Sequence, residues 1–194
     1  MFTGIITNKG KLRLFKQSKY TFSTDEGLIL KLKTGGSIAI NGVCLTVVEN
    51  SSDTFSVEII PETLRKTMLG TLKINDEVNL ELPMTPTSFF EGHIVQGHVD
   101  GAGTVEDIVS DGNSHLMKIK VDPSLSGYMI KKGSVAVNGV ALTIIEIVDD
   151  YFTVGIIPHT YENTTFKNLK VGDVVNIEVD MIAKYVEKFV TKSQ

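Results

Sequence analysis

The chain has 194 residues, a formal net charge of −4 at pH 7, and 42% hydrophobic against 22% charged residues. These totals are typical of a globular protein, and they argue against a nucleic-acid surface, which needs clustered Lys and Arg. The chain has a single cysteine, no signal-peptide pattern at its start, and no apolar run near the ~20 residues of a membrane span. We therefore expect a soluble, cytoplasmic protein without internal disulfides or a membrane partner.

The first half of the chain predicts short strands. The apolar start MFTGII (1–6) predicts a strand, and the mixed segment 11–20 predicts a strand end and a loop. In GGSIAINGVCLTVVE (35–49), two alternating apolar runs flank an Asn-Gly turn, which is the pattern of a β-hairpin. Further along, the pattern predicts a strand over 54–60, a short helix over 62–69, and a turn followed by a strand over 73–82.

The hairpin sequence returns as KGSVAVNGVALTIIE (132–146), which indicates an internal duplication. Gly36 and Gly133 are 97 positions apart, and this offset holds without a gap through the strands that follow. Extended backwards, the same offset pairs Gly4 with Gly101. The repeat unit is therefore expected to include the N-terminus.

Short strands at regular spacing, without crossover helices, predict an all-β fold of closed barrels rather than a parallel sheet. We predict one domain over 1–92, including a linker of Pro, Thr and Ser, and a second over 93–180. In 181–194, which has no counterpart in the first copy, apolar residues recur at helical spacing. A helix of about three turns is marginal alone, so its apolar face must pack on its own barrel or on another subunit.

The sequence has no nucleotide-binding, zinc-protease or serine-hydrolase motif, so we expect no metal and no cofactor. Cys44 is either a nucleophile or substrate ligand, or a small apolar residue, and Ala141 at the equivalent position favours the second interpretation. His93 and His98 could each act as an acid or base. Their odd spacing would place them on opposite faces of an extended chain, which argues against a shared metal. His115 is predicted to lie in a surface loop.

The ordered segments MFTGII, NGVCLTV, ETLRKT, EGHIVQGHVDG, KGSVAVNG and IIPHTYENTT resemble the riboflavin synthase family, and the resemblance extends from residue 1 to about 185. It implies two tandem six-stranded Greek-key barrels and a homotrimer joined by the C-terminal helix. It also implies a dismutation of two 6,7-dimethyl-8-ribityllumazine molecules, without a cofactor. One molecule donates a four-carbon unit to the other, giving riboflavin and 5-amino-6-ribitylaminouracil, and the two substrates meet across a subunit interface.

The resemblance also implies site residues. For catalysis it points to Cys44, His98 and Ser37, with Phe2 and Asp180 near the site. Beside Cys44, the first barrel's pocket would contain Gly4, Ile5, Ile6, Leu45, Thr46, Ile60, Pro61, Glu62 and Thr63. Beside His98, the second barrel's pocket would contain Gly97, Val99, Lys132, Ala141, Leu142, Thr143, Ile157, Pro158, His159 and Thr160.

The second copy departs from the family pattern. Where the family usually has Asp-Gly-x-Ser-Leu-Thr, this chain has Asn138 and Ala141 in place of the aspartate and serine. We expect Asn138, like Asn41, to be a turn residue that tolerates a left-handed backbone. The missing carboxylate and hydroxyl keep a second hypothesis open, a protein that binds lumazine or flavin without turnover, as antenna proteins related to the family do. A third hypothesis, which ignores the resemblance, is a structural or adaptor module of two barrels.

Overall fold

The computed structural model describes residues 1–191, which form two closed barrels of six antiparallel strands and a final helix. The first barrel contains β1 (Asn8–Lys16), β2 (Lys19–Ser23), β3 (Ser37–Ile40), β4 (Val43–Asn50), β5 (Thr54–Glu58) and β6 (Glu77–Glu81). The second contains β7 (Gly101–Asp111), β8 (Ser114–Lys120), β9 (Ser134–Val137), β10 (Val140–Val148), β11 (Tyr151–Ile156) and β12 (Val174–Val179). The helices are α1 (Glu26–Ile29), α2 (Pro61–Lys66), α3 (Pro123–Ser126), α4 (Pro158–Asn163) and α5 (Met181–Thr191), and 3₁₀ turns follow α2 and α4 at Met68–Thr71 and Thr165–Asn168.

The strand order of the first barrel is β1-β2-β5-β4-β3-β6. Because β3, β4 and β5 follow one another and β6 returns to lie beside β3, the connectivity is a Greek key. The second barrel has the same connectivity, with β7 to β12 in the corresponding places. The predicted fold, two tandem six-stranded Greek-key barrels with a C-terminal helix, is confirmed.

Each barrel encloses its own apolar core. In the first, the buried rings of Phe22 and Phe55 stack with their centroids 5.7 Å apart. In the second, Phe152 and Met117 are buried among aliphatic side chains. A third cluster, formed by Phe2, Ala39, Val95 and Ala136, draws on both halves of the chain and joins the barrels.

The two Asn-Gly hairpin turns meet between the barrels. Asn41 and Asn138 have φ values of 44° and 46°, and the glycines that follow them are also left-handed, as a type I′ turn requires. A Cβ on Gly42 would lie 2.7 Å from the backbone N of Gly139, so this approach tolerates only glycine. The prediction that the two asparagines occupy left-handed turn positions is confirmed.

A buried asparagine network fastens the two turns together. The Nδ2 of Asn79 donates to the carbonyl of Asn138 at 3.0 Å, and the Nδ2 of Asn176 donates to the carbonyl of Asn41 at 2.8 Å. The Oδ1 of Asn138 in turn accepts from the backbone N of Asn176 at 2.8 Å. Asn138 therefore serves the junction between the barrels, and so does its counterpart Asn41, whose Oδ1 accepts from the backbone N of Asn79.

Three predictions about the early part of each copy are wrong. Residues 1–6 form no strand and make only one bridge, between Phe2 and Val95. The segment 11–20, expected to be a strand end and a loop, forms most of the β1–β2 hairpin with only a two-residue turn between the strands. Gly4 corresponds to Gly97 and not to Gly101, because β7 and β8 are each two residues longer than β1 and β2. That longer hairpin changes the offset between the copies.

His115 also departs from its prediction. It lies in strand β8, and its ring stacks on Tyr161 of α4 with centroids 3.9 Å apart. It is half-buried rather than part of a surface loop.

Helix α5 contacts its own barrel through polar groups. The Nζ of Lys184 lies 2.6 Å from Asp100, and Tyr128 bonds to Glu187. The apolar residues Ile182, Tyr185, Val186 and Val190 of the helix are all more than half exposed. Positions 192–194 of the predicted helical segment lie outside the described residues. Within the described chain, no helix is long and apolar enough to cross a membrane.

Candidate functional sites in the two barrels

The β3–β4 hairpin positions the side chains predicted for catalysis in the first barrel. Cys44 pairs with Ala39, and Ser37 pairs with Thr46 at the other end of the same ladder. Cys44 is half-buried and packs against the cluster that joins the barrels. It therefore stands where the first barrel meets the second half of the chain.

The segment 96–99, which we call the second lead because it precedes the second barrel, covers Cys44. The backbone N of Cys44 donates to the carbonyl of Gly97 at 2.9 Å. Gly97 has a φ of 80°, and a Cβ on it would lie 2.5 Å from the Cβ of Cys44. Only glycine fits both the left-handed backbone and this close approach.

Helix α2 completes a cleft beside Cys44. The helix begins with Pro61 at its first position, where the missing N–H costs no hydrogen bond, and Ile60 precedes it as N-cap. The cleft, which we call the first site, has a volume of about 190 Å³ and is lined by Val43, Cys44, Glu62, Thr63, Lys66, Thr67, Gly97, His98 and Val99. It brings Cys44 together with the exposed His98.

The charged rim of the first site comes from α2. Glu62 lies 2.8 Å from Arg65 and 3.2 Å from Lys66. The hydrogen bonds from Arg65 and Lys66 lower the pKa of Glu62 below its ordinary value. Lys66 lines the cleft and can meet an acceptor oxygen of a ligand there.

The second barrel repeats this arrangement around Ala141, whose surroundings we call the second site. We call the shared arrangement, a hairpin N–H that donates to the carbonyl of a left-handed glycine of a lead, the frame. The backbone N of Ala141 donates to the carbonyl of Gly4 at 2.8 Å. Gly4 has a φ of 77°, and its Cβ would lie 2.6 Å from that of Ala141. The linker also reaches this place, since a Cβ on Gly92 would lie 3.2 Å from the Cβ of Ala141. The same backbone therefore carries a thiol in one site and a methyl group in the other.

The grouping of residues implied by the resemblance is wrong in one respect, because the lead segments are exchanged. Residues 4–6, expected beside Cys44, lie in the first lead (3–6), which contacts Ala141. Residues 97–99, expected beside Ala141, lie in the second lead, which contacts Cys44 instead. Ile6 packs against the core of the second barrel, and Val99 packs against the core of the first.

The exchange has a structural cause. Phe2 and Val95 pair with each other across the junction, with N–O distances of 2.7 and 3.1 Å. Each lead therefore passes over the opposite hairpin before it enters its own barrel. Phe2 is fully buried at this crossing, in the cluster between the barrels against which Cys44 packs, so its side chain lies beside the first site.

The other predicted residues fall into three groups by exposure. Buried in or packed on the barrel cores are Leu45 and Leu142. Exposed at the starts of α2 and α4 are Ile60, Pro61, Ile157, Pro158 and His159. On the strand edges and loops near the sites, the exposed or half-buried residues are Ile5, Thr46, Lys132, Thr143, Thr160 and Asp180.

His93 and Asp180 form a further pair of titratable groups. Burial lowers the pKa of His93, and the Asp180 carboxylate opposes this shift. Asp180 also accepts a hydrogen bond from the backbone N of Ile182 at 2.9 Å and so begins helix α5. Across residues 1–191, no three His, Cys, Asp or Glu side chains come together as a metal site.

Two residues near the sites were missed by the sequence analysis. Glu81 and Glu178 are buried carboxylates at the ends of β6 and β12, with exposures of 5% and 3%. Their signal was present, because NLEL and NIEV place a glutamate at the same position of an otherwise buried strand in both copies. A charged side chain in such a position is rarely accidental, since an ionised carboxylate needs partners when it is buried.

The chain is similar to a protein family and to individual proteins in both sequence and fold. The model of the lumazine binding domain family matches twice, at residues 3–83 and 96–180. Riboflavin synthase of Actinobacillus pleuropneumoniae is 43% identical over 195 residues, covering 99% of this chain and 91% of the relative. Riboflavin synthase of Bacillus subtilis (strain 168) is 39% identical, covering 100% and 91%. The crystal structure of LumP complexed with 6,7-dimethyl-8-(1'-D-ribityl) lumazine has the same fold, with a TM-score of 0.84, 23% identity, and coverage of 92% of this chain and 99% of that chain.

Proposed function

Because this chain belongs to the riboflavin synthase family, we propose that it catalyses the dismutation of two molecules of 6,7-dimethyl-8-ribityllumazine. One molecule transfers a four-carbon unit, the two ring carbons with their methyl groups, to the other. The acceptor becomes riboflavin and the donor leaves as 5-amino-6-ribitylaminouracil. The family's relatives named riboflavin synthase support this reaction.

The observation that carries the proposal is a pair of sites with one shape and two chemistries. In both, a hairpin N–H donates to the carbonyl of a left-handed glycine, Gly97 in the first and Gly4 in the second. Equivalent frames suit two identical molecules, whereas donor and acceptor of the four-carbon unit need different surroundings. Cys44 in one frame and Ala141 in the other supply that difference.

In the first site, we propose that the thiol of Cys44 and the imidazole of His98 serve the substrate as acid, base or nucleophile. Both line the same cleft, and Ser37 lies two ladder positions from Cys44. Residues at the starts of α2 and α4, with Lys132 and the exposed threonines of the strands, would bind the rings and the ribityl hydroxyls. The enzyme then acts mainly by holding two substrates in reactive positions and moving protons.

The two substrates would meet across a subunit interface in a homotrimer. The first site has about 190 Å³, less than the ~300–1,000 Å³ of an ordinary ligand pocket, so a second surface is needed to enclose a lumazine. The exposed apolar residues Ile182, Tyr185 and Val186 of α5 suit helix packing between subunits. Deleting 181–194 should give monomers in sedimentation, and a trimer that survives the deletion would place the contact elsewhere.

The reaction is tested by mixing the protein with the lumazine and following riboflavin absorbance. We expect riboflavin and the diaminouracil to form in equal amounts. A substrate left unchanged by micromolar protein over hours would contradict the proposal.

A second candidate function is lumazine or flavin binding without turnover. Ala141 favours it, because the second site offers a methyl group where the family usually has a serine hydroxyl. This candidate predicts tight binding and fluorescence of the bound ligand. Catalytic release of the diaminouracil would exclude it.

A further inference from the structure

Glu178 and Glu81 are buried carboxylates that the proposed reaction does not use. They occupy the same position in the two copies, at the ends of β12 and β6. Burial raises the pKa of both, although the hydrogen bonds that they accept act in the opposite direction. Both copies have a carboxylate at this position although its burial disfavours charge, and such burial is costly unless the partners of the carboxylate compensate for it.

Each carboxylate binds the backbone of the lead that precedes its own barrel. Glu178 accepts from the N of Gln96 at 2.6 Å and from the N of Gly97 at 3.0 Å. Glu81 accepts from the N of Thr3 at 2.7 Å, from the Oγ1 of Thr3 at 2.8 Å and from the N of Gly4 at 3.1 Å. Two neighbouring N–H groups that converge on one carboxylate fix the position and the direction of the segment.

The segments held in this way are those that cross to the opposite barrel. The carbonyl of Gly97, held by a carboxylate of the second barrel, accepts from the N of Cys44 in the first barrel. The carbonyl of Gly4, held by the first barrel, accepts from the N of Ala141 in the second. Each carboxylate is therefore linked to the hairpin of the other barrel through a single residue, Gly97 or Gly4.

We propose that Glu178 is a positioning residue for the first site and Glu81 a positioning residue for the second. Each holds the lead that covers the other barrel's hairpin. The carboxylates touch no substrate, and they act through the backbone of Gly97 and Gly4. This positioning role is a property of the folded chain, and only its effect on turnover rests on the proposed function.

Glutamine is the informative substitution because it keeps the size of the side chain. Its amide oxygen can accept one N–H, but its NH₂ group faces the other N–H and cannot accept. In Glu178→Gln the second lead loses one bond and can move away from Cys44. In Glu81→Gln the same loss occurs at Ala141, so this variant is the matched control.

The single cysteine of the chain gives a readout that does not depend on activity. Without substrate, the rate at which iodoacetamide alkylates Cys44 reports how well the second lead covers it. We expect Glu178→Gln to raise this rate about tenfold, the equivalent of about 1.4 kcal/mol, and Glu81→Gln to leave it within about twofold. Glu178→Asp, which keeps the charge and shortens the reach, should fall between Glu178→Gln and the unmodified protein.

Stability and kinetics separate positioning from a general structural role. Urea unfolding of the two glutamine variants should show similar losses, whereas only Glu178→Gln exposes the thiol. Equal alkylation rates in both variants, or no change in either, would overturn the proposal. If Glu178→Gln does not fold, Glu178→Asp with Glu81→Asp as control gives the same comparison. Turnover is measured last, and an inactive unmodified protein would refute the proposed reaction while leaving the alkylation result intact.

Discussion

Replacing Gly97 with alanine tests the close contact on which the first site depends. Gly97 has a φ of 80°, and its added Cβ would lie 2.5 Å from the Cβ and 2.9 Å from the backbone N of Cys44. Neither of these atoms belongs to a flexible side-chain end. The second lead must therefore move, and the hydrogen bond between Cys44 N and Gly97 O must lengthen.

The cost has two parts, and the chain offers a control that separates them. A left-handed backbone costs a residue with a Cβ about 1–2 kcal/mol, and forcing atoms into a packed site adds about 1–3 kcal/mol. Gly97→Ala should therefore lose about 2–5 kcal/mol of unfolding free energy. Gly112 has a φ of 58° with nothing within 4 Å of its Cβ position, so Gly112→Ala should lose only the first part.

Urea unfolding at neutral pH gives both values, and turnover of the lumazine gives the functional effect. A displacement of the second lead should lower kcat/KM of Gly97→Ala by at least about tenfold, since each 1.4 kcal/mol of lost transition-state stabilisation is a factor of ten. Gly112→Ala, in the turn between β7 and β8, should keep the full rate. Equal stability losses in the two variants would refute the contact between Gly97 and Cys44.

Three further changes test other parts of the molecule. Cys44→Ser should lower turnover by more than about tenfold while the unfolding transition is kept, and a near-normal rate would return Cys44 to a packing role. Asn79→Ala should cost about 2–4 kcal/mol in urea unfolding, because it leaves the carbonyl of Asn138 and the backbone N of Thr165 without their buried partner. A loss below about 1 kcal/mol would contradict the network. Because burial raises the folded-state pKa of Glu81 and Glu178, the folded protein binds protons more tightly than the unfolded chain. Their contribution to the free energy of unfolding should be fullest below the unfolded pKa and lost as pH rises through the folded pKa. The difference in free energy of unfolding between the unmodified protein and the glutamine variants, which do not titrate there, should therefore shrink in that window. A difference that grows with pH would contradict the raised pKa.

The repeated hairpins were predictable because their pattern is local. Alternating apolar residues and an Asn-Gly turn specify a hairpin wherever it lies, and the duplicated pattern indicated two similar domains. The β1–β2 hairpin was not predicted because a bulge between Leu12 and Leu14 reverses the alternation of buried and exposed side chains along β1. Leu12 is fully buried and Leu14 is 59% exposed, although they lie two positions apart.

The composition of the sites was predictable only in part. The resemblance named residues in both leads and both hairpins, but it grouped them by their order along the chain. Which lead meets which hairpin depends on the crossing at Phe2 and Val95, a long-range contact with no periodic signal. Domain boundaries at 92 and 180 and the roles of the named side chains stay predictions.

The exchange of leads changes what the duplication means for function. The first lead contacts Ala141 of the second barrel, and the second lead contacts Cys44 of the first barrel. Each half of the chain alone would therefore lack the segment that covers its hairpin. The Asn-Gly turns meet at Gly42 and Gly139 with no room for a side chain, so the two barrels are held in one orientation. Each half therefore completes the site of the other, and a change in either lead reaches the opposite hairpin through one hydrogen bond. The backbone hydrogen bond between lead and hairpin is the same whether the hairpin carries the thiol of Cys44 or the methyl group of Ala141, so the two sites can keep one shape while their side chains differ.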